Sequence, residues 1–220
     1  MATVLVTGAN RGIGLSFVKL CRARGDTVIA ACRRDDPQLT SLGAEVATGV
    51  DVTSDKSVNL LAEKLQGRAI DLLINNAGLL THEDFPSLDF GAIQRQMEVN
   101  AYGALRVTSK LVKNLKRGAK VALITSRMGS IADNSSGGYY GYRMSKAALN
   151  AAGKSLAHDL APLDVAVAIL HPGYVKTEMT GNHGSVEPDD AARDLLARIE
   201  QLDLQSTGTF WHANGSVLPW

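Results

Sequence analysis

The sequence predicts an α/β fold: a single, doubly wound parallel β-sheet with helices on both faces. Three observations support it. Short apolar runs alternate with longer segments of helical periodicity, turn residues follow each run, and the runs are continuously apolar. Continuous apolar runs are typical of parallel strands that helices cover on both sides. The predicted strands are residues 4–6, 28–30, 46–47, 72–74, 121–124 and 165–170, with a last edge strand at 208–211.

Helices are predicted to begin near Gly12, Ser54, Asp89, Tyr139 and Pro188. Ser54 and Asp89 are residue types that cap helix N-termini, and proline suits a first helical turn. The predicted helices at 89–115 and 139–160 are long. No linker or repeat interrupts the pattern, so we expect residues 1–220 to form one domain.

The composition narrows the class of partner. The chain has a net charge of +1 and 20% charged residues, so its electrostatic field is too weak to indicate binding to nucleic acid or to an anionic membrane. The expected partner is a small molecule. Cys21 and Cys32 lack metal-ligand or disulfide spacing, the five histidines show no paired spacing, and no metal site is predicted. The longest apolar run is shorter than the ~18 residues of a membrane span, and no leader pattern precedes the first strand. We expect a cytoplasmic protein.

A glycine-rich turn follows the first predicted strand and opens a helix. Gly8 suits a tight turn, Gly12 lets the backbone approach phosphates, and Gly14 lets the helix pack on the strand. A pyrophosphate can bind free N–H groups at such a helix start. The spacing G-x-x-x-G-x-G differs from G-x-G-x-x-G, and a tight connection that binds nothing is the alternative. The absence of a Lys-Ser or Lys-Thr pair after the last glycine argues against the P-loop of a nucleotide triphosphatase.

Five motifs in order resemble those of the short-chain dehydrogenase/reductase family. They are the turn at 7–14, Asn75-Asn76-Ala77-Gly78, Asn100, Tyr142-x-x-x-Lys146 and the segment 171–177. The stretch 126–130, the short region after Thr177 and the terminal Leu218-Pro219-Trp220 resemble the C-factor and Sniffer-like carbonyl reductase branch. The resemblance implies a Rossmann fold, a nicotinamide cofactor and reduction of a carbonyl.

The nicotinamide cofactor is expected to be NADP(H). The position at the end of the second strand is Cys32 rather than an acid, and Arg11 and Arg33 carry guanidinium groups that match a phosphate. Surface arginines with Asp35 and Asp36 as the ribose contacts are the alternative. Together with the resemblance, the candidate cofactor-binding residues are Gly8, Asn10, Arg11, Gly12, Ile13, Gly14, Arg33, Asp51, Val52, Asn76, Ala77, Gly78, Tyr142, Lys146, Pro172, Gly173, Val175 and Thr177.

Tyr142 and Lys146 lie four residues apart, so both project from one helix face. A phenol with a pKa near ~10 is a poor base at neutral pH, and we expect Lys146 and a positive nicotinamide ring to lower that pKa. Tyr139 and Tyr140 compete, but only Tyr142 has a lysine four residues later. Ser126 ends the fifth strand, where its hydroxyl can hold the substrate oxygen. The resemblance implies that the side chain or main chain of Asn100 holds a water that links Lys146 to solvent.

The expected function is hydride transfer between NADP(H) and a carbonyl or alcohol, with Tyr142, Lys146, Ser126 and Asn100 as the catalytic residues. A nucleotide-binding signalling protein of the C-factor type is the alternative. A sugar-nucleotide epimerase is disfavoured, because the segment after Thr177 is short. A homodimer or homotetramer is expected through the two long helices, the second of which carries small residues at Ala147, Ala148, Ala151 and Ala152. The same alanines could instead pack on the sheet.

Overall fold

Seven strands form one sheet in the computed structural model, which describes residues 1–220. The strands are β1 (Thr3–Thr7), β2 (Thr27–Ala31), β3 (Glu45–Ala47), β4 (Ile70–Asn75), β5 (Leu115–Ile124), β6 (Ala166–His171) and β7 (Phe210–His212). Their order across the sheet is β3-β2-β1-β4-β5-β6-β7, and all neighbouring pairs run parallel. The predicted α/β class with a doubly wound parallel sheet is confirmed.

Seven α-helices connect the strands. They are α1 (Gly12–Ala23), α2 (Pro37–Ser41), α3 (Asp55–Lys64), α4 (Phe90–Met97), α5 (Gly103–Leu111), α6 (Tyr140–Leu160) and α7 (Pro188–Gln201). The predicted caps are found: the Ser54 side chain accepts from the Ser57 N–H at 3.2 Å, and that of Asp89 from the Ala92 N–H at 3.0 Å. Pro188 lies in the first turn of α7, where a missing N–H costs nothing.

Both faces of the sheet are buried under helices. Leu5 belongs to the core that packs against α3, α5 and α6, whereas Val4 and Val6 belong to the core under α1 and α7. Successive residues of a strand point to opposite faces, so a strand covered on both sides must be apolar at every position. This explains the continuous apolar runs in the sequence.

The prediction of one continuous helix over residues 89–115 is wrong, because the helix is interrupted and ends before residue 115. A π-helical turn at Glu98–Tyr102 separates α4 from α5, and a 3₁₀ turn at Val112–Asn114 follows α5. Leu115 belongs to β5, where it pairs with Ile70 of β4. The backbone groups after Asn114 are therefore satisfied by the sheet rather than by a further helical turn.

Three other elements differ from the prediction. The short helix α2 was not predicted, and Asp36 caps it by accepting from the Gln38 N–H at 3.0 Å. β5 begins at Leu115 instead of residue 121, and three of its six added residues, 116–118, are exposed, so this part of the strand lacks a continuous apolar signal. β7 occupies Phe210–His212 rather than 208–211.

The strand order reverses between β1 and β4, because the chain continues from β1 to β2 on one side and returns to β4 on the other. In open parallel sheets, ligands bind in the crevice at the carboxyl ends of the strands beside such a reversal. The turns after β1, β4, β5 and β6 all lie at this edge. None of the helices has both the length and the apolar character that a membrane span requires.

Candidate active site

The glycine turn after β1 is packed too tightly for side chains. Gly8 has a φ of +63°, and a Cβ there would lie 2.9 Å from the Cα atom of Ala77. A Cβ on Gly14, in the first turn of α1, would collide with the Gly8 carbonyl oxygen and lie 2.6 Å from Nδ2 of Asn76. The predicted close packing at Gly14 and tight turn at Gly8 are both present.

Asn76 joins the turn after β4 to the glycine turn. Its Nδ2 donates to the carbonyl oxygens of Thr7 and Gly8, each at 3.1 Å. The backbone N–H groups of Asn76 and Ala77 donate to the Thr7 hydroxyl at 3.0 and 3.1 Å. Sequence reasoning did not select Thr7 as a site residue, although a polar side chain at the end of an apolar strand was the available signal. The two turns form one hydrogen-bonded unit.

The segment after β6 lies over the glycine turn. Gly12 has a φ of +52°, and a Cβ there would lie 3.2 Å from Cγ2 of Thr177. Arg11 Nη1 forms an ion pair with Glu178 Oε2 at 2.5 Å, and the two side chains are 61% and 71% exposed. Arg11 is thus engaged by a neighbour that sequence reasoning missed, but its exposure leaves it accessible. The other candidate residues of the turn are half-buried: Asn10 and Ile13.

The same segment is anchored at the end of β6. Pro172 is buried, Gly173 has a φ of +88°, and Val175 is buried and forms a parallel bridge with Val186. The N–H of Lys176 donates to the Val186 carbonyl at 2.9 Å. The structure therefore places Pro172, Gly173, Val175 and Thr177 together at the carboxyl edge of the sheet.

The end of β2 carries no acidic side chain toward the crevice. Cys32 is buried, and its Sγ donates to the Arg34 carbonyl at 3.0 Å, whereas Arg33 is exposed. Asp51 accepts from the N–H and hydroxyl of Thr53 at 2.9 and 2.7 Å. Burial raises the pKa of the Asp51 carboxyl, but the hydrogen bonds from Thr53 and the charge of Arg33 outweigh burial, and the pKa lies below its usual value. Arg33 and Asp51 are thus electrostatic neighbours.

Val52 is buried beside α5. A Cβ on Gly103 would lie 2.8 Å from Cγ2 of Val52. Arg106 Nη1 donates to the Val52 carbonyl at 2.8 Å, and its Nε pairs with Asp55 at 2.7 Å. These contacts fix the turn after β3 against α5.

Tyr142 and Lys146 are buried on α6, next to Ser126 at the end of β5. Burial raises the pKa of Tyr142 to about 12, and the nearby Ser126 hydroxyl opposes that rise. Burial lowers the pKa of Lys146 to about 7. Lys146 Nζ lies 5.7 Å from the Tyr142 ring centre and donates to the Ile124 carbonyl at 2.8 Å. In the chain alone, burial is the dominant effect on the phenol pKa. The expectation that Lys146 and a positive nicotinamide ring together lower it stays a prediction.

The turn that carries Ser126 packs directly on α6. A Cβ on Gly129 would lie 2.7 Å from the carbonyl carbon of Lys146, so only glycine allows this approach. Ser126 Oγ accepts from the Met128 N–H at 3.1 Å, which fixes the serine side chain. The spacing of Ser126 and Gly129 thus has a packing reason.

The two competing tyrosines lie elsewhere. Tyr139 is the residue before α6 and has a φ of 50°, and Tyr140 is 37% exposed. Of the three, Tyr142 is the one that is buried beside Ser126.

Asn100 lies in the π-helical turn and is buried. Its Oδ1 accepts from the Leu79 N–H at 2.7 Å, and its Nδ2 donates to the Leu79 carbonyl at 2.8 Å and to Ser145 Oγ at 2.9 Å. A Cβ on Gly78 would lie 3.5 Å from Asn100 Oδ1. The side chain or the main chain of Asn100 was expected to hold a water, and the side chain is hydrogen-bonded to protein atoms.

Sequence reasoning missed two buried polar pairs beside α6. Thr125 Oγ1 donates to Asn150 Oδ1 at 2.7 Å, and Gln96 Nε2 donates to Glu83 Oε1 at 2.7 Å. An isolated glutamate in a polar stretch gives no sequence signal of burial, so Glu83 was not detectable.

The histidines form no metal cluster, and no group of three or more His, Cys, Asp or Glu side chains is placed to hold a metal ion. The ring centres of His171 and His212 are 4.9 Å apart, and the buried His171 Nδ1 has no hydrogen-bond partner. Burial, together with the nearby His212 and Arg127, lowers the pKa of His171 to about 3.

Residues 2–188 match the family described as short chain dehydrogenase. The chain is 43% identical over 226 residues to 1-hydroxy-2-glutathionyl-2-methyl-3-butene dehydrogenase of Rhodococcus sp. (strain AD45), and the similarity covers 100% of both proteins. It is 42% identical over 154 residues to C-signal of Myxococcus xanthus, which covers 69% of this chain and 93% of that protein.

Solved structures of the same kind are similar over the whole chain. The NADPH-bound carbonyl reductase from chicken fatty liver has a TM-score of 0.90 and 29% identity, covering 100% of this chain and 99% of that one. The carbonyl reductase Sniffer of D. melanogaster has a TM-score of 0.91 and 26% identity, covering 100% of both chains. These similarities confirm the Rossmann fold and the resemblance to the C-factor and Sniffer-like branch. The chain belongs to the short chain dehydrogenase family and is an oxidoreductase of that family.

Proposed function

We propose that this chain is an NADP(H)-dependent oxidoreductase that acts on a carbonyl or alcohol. The observation that carries the proposal is the meeting of Tyr142, Lys146 and Ser126 at the carboxyl edge of the sheet that also holds the glycine turn. Tyr142 exchanges a proton with the substrate oxygen, and Ser126 orients that oxygen. Lys146 favours the phenolate by its charge, and Asn100 connects the site to solvent.

The phenol of Tyr142 is in the protonation state that carbonyl reduction needs. Burial raises the pKa of Tyr142 to about 12, so the phenol is protonated at neutral pH and is a proton donor. Lys146, four residues further along α6, has a pKa of about 7, and its protonated form stabilises the phenolate that remains after proton donation. The nicotinamide, when bound, supplies or accepts the hydride.

The residues around the glycine turn suit a dinucleotide. Gly8, Gly12 and Gly14 leave no side chains between the backbone and a pyrophosphate at the start of α1. Asn10, Ile13, Asn76, Ala77 and Gly78 complete the phosphate and ribose side of the site, Asp51 and Val52 the adenine side, and Pro172, Gly173, Val175 and Thr177 the nicotinamide side.

Arg11 and Arg33 are proposed to bind the 2′-phosphate of NADP(H), because guanidinium groups match phosphate geometry. The competing ribose acceptors, Asp35 and Asp36, each accept one local hydrogen bond. Asp36 accepts from the Gln38 N–H at 3.0 Å, and Asp35 from the Asp36 N–H at 2.8 Å. The chicken carbonyl reductase with NADPH bound is a similar structure that supports the preference.

The proposed substrate is a small carbonyl or alcohol. Tyr174 and Met179 expose apolar surface on the segment that covers the glycine turn, as does Ile131 on the turn after Ser126. These side chains suit an apolar group on the substrate. Similarity to C-signal favours, as a second candidate, a signalling role in which nucleotide binding is sufficient.

The proposal also includes one domain over residues 1–220, a cytoplasmic location and a homodimer or homotetramer. Ala147, Ala148 and Ala152 are half-buried and Ala151 is exposed, so this stripe of α6 is incompletely covered by its own chain. A second copy packed against α6 and α5 would cover it.

The proposal is tested by measuring the turnover of a panel of aldehydes, ketones and quinones with NADPH. Replacing Tyr142 with Phe removes the proton donor, so we expect kcat to fall about 10²–10⁴-fold while NADPH binding persists. Tyr140→Phe removes an equal hydroxyl from a neighbouring, exposed side chain and keeps activity. Wild-type turnover by Tyr142→Phe would reject the catalytic assignment, and nucleotide binding without turnover of any substrate would favour the signalling role.

A further inference from the structure

A buried acid lies between the turn after β4 and the catalytic helix. Glu83 is 2% exposed and accepts three hydrogen bonds. Its Oε1 accepts from the Thr81 hydroxyl at 2.5 Å and from Gln96 Nε2 at 2.7 Å, and its Oε2 accepts from the Gly141 N–H at 3.1 Å. A glutamate is rarely buried unless hydrogen bonds satisfy its carboxylate, and these three partners do so. The positions of these partners indicate what the buried Glu83 contributes at this place.

The Gly141 contact lies at the beginning of α6. The first N–H groups of a helix have no intrahelical partner and are usually satisfied by the side chain of the preceding residue. Here that residue is Tyr139, which makes no side-chain cap. Glu83, 58 positions earlier in the sequence, provides the acceptor instead. A negative side chain at this end of a helix is also favoured by the helix dipole.

The same network clamps α4 against the first turn of α6. A Cβ on Gly141 would collide with Gln96 Nε2 and lie 2.9 Å from Cα of Ile93. Gln96 Oε1 accepts from the Thr81 N–H at 3.0 Å, so the amide of Gln96 is oriented by both of its neighbours. Tyr142 is the residue that follows Gly141, and its ring direction depends on this turn.

We propose that Glu83 is a positioning residue, which fixes the first turn of α6 and thereby aims the Tyr142 hydroxyl at the substrate oxygen. The inference rests on the proposed function, in which Tyr142 is the proton donor. The acid is required because Gln96 Nε2 and the Gly141 N–H can only donate and face different oxygens, and a carboxylate is the side chain that accepts at both oxygens.

An amide at position 83 cannot satisfy these donors. If the oxygen of the amide in Glu83→Gln faces the Gly141 N–H, its NH₂ group faces the NH₂ of Gln96. Rotating the Gln96 amide relieves that contact but turns its NH₂ group toward the Thr81 N–H. The double variant Glu83→Gln/Gln96→Glu exchanges the two groups. It restores these donor–acceptor pairs, since the carboxylate at position 96 accepts both from the amide at position 83 and from the Thr81 N–H.

The test measures turnover, NADPH affinity and backbone hydrogen exchange in full-length variants. Glu83→Gln is expected to lower kcat about 10–100-fold with unchanged NADPH affinity, since a misplaced group costs rate rather than cofactor contacts. Amide exchange over residues 140–145 should accelerate. The double variant should recover kcat and slow exchange. The control is Asp26→Asn, which changes another buried acid. Asp26 directly precedes β2 and accepts from the Ala2 N–H at 2.9 Å, so its replacement should alter neither kcat nor amide exchange over residues 140–145.

Wild-type kcat and exchange in Glu83→Gln would overturn the inference, as would a double variant that stays as slow as the single one. Loss of NADPH affinity equal to the loss of kcat would overturn it as well, because that outcome indicates general disruption. Tyr142→Phe measured alongside separates the two claims. If Tyr142→Phe is inactive while Glu83→Gln is fully active, the positioning role fails alone; if Tyr142→Phe is fully active, the proposed mechanism fails.

Discussion

Gly14→Ala tests how the crevice is built. The added Cβ would lie 2.6 Å from Nδ2 of Asn76, about 0.8 Å short of the lower end of ordinary contact, and would collide with the rigid Gly8 carbonyl. Both hydrogen bonds of Asn76 Nδ2 are 3.1 Å long, so a shift of that size breaks them. The substitution thus affects both turns that line the reversal between β1 and β4.

The magnitude follows from these contacts. Overpacking costs about 1–3 kcal/mol, and each lost hydrogen bond about 1 kcal/mol. Alanine gains up to about 1 kcal/mol over glycine in a helix, which offsets part of the cost. We expect the free energy of unfolding to fall by about 2–4 kcal/mol, measured by urea denaturation. NADPH binding, measured by fluorescence titration, should weaken at least tenfold.

Gly91→Ala is the matched control for this substitution. Gly91 is also in the first turns of a helix, but a Cβ there would meet no backbone atom. Its neighbours would be Nη1 of Arg95 at 3.4 Å and Oδ1 of the N-cap Asp89 at 3.2 Å, which has to shift by only a few tenths of an ångström. Its unfolding free energy should stay within about 1 kcal/mol of wild type. If Gly14→Ala is as stable as Gly91→Ala and binds NADPH like wild type, the packing argument for the glycine turn is wrong.

Two further predictions concern charge. Burial lowers the pKa of Lys146 from 10.5 to about 7. Between pH 7 and pH 10.5, Lys146 is therefore protonated in the unfolded chain but not in the folded protein. The free energy of unfolding should consequently rise with pH in this range, by up to about 1.4 kcal/mol per pH unit. Lys146→Met should remove this pH dependence when the free energy of unfolding is measured by urea denaturation at several pH values. An equally steep pH dependence in the variant and the wild type would contradict the prediction. Arg33→Asp should cost about 1.5–3 kcal/mol of NADPH binding and little NADH binding. Arg34→Asp, with the same charge change, should spare both, and equal losses in the two variants would exclude a specific phosphate contact.

Local patterns in the sequence were sufficient for much of the architecture. The apolar runs identified the strands that the helices cover on both faces, because such strands are apolar at every position. Ser54, Asp89 and Pro188 marked helix starts through local capping, which needs no tertiary partner. The glycine turn and the spacing of Tyr142 and Lys146 were also readable, since one turn or one helix face fixes them.

Other features depended on contacts between distant residues. The break in the helix at 89–115 involves Asn100, which bonds to Leu79 and Ser145. The pairing of Arg11 with Glu178 joins residues 167 positions apart, and the raised phenol pKa of Tyr142 depends on burial. Composition and spacing do not encode which side chains meet after folding, nor how much water they exclude. Local sequence patterns therefore specify the fold and the chemical groups, whereas the partners and the protonation of those groups depend on contacts that form only on folding.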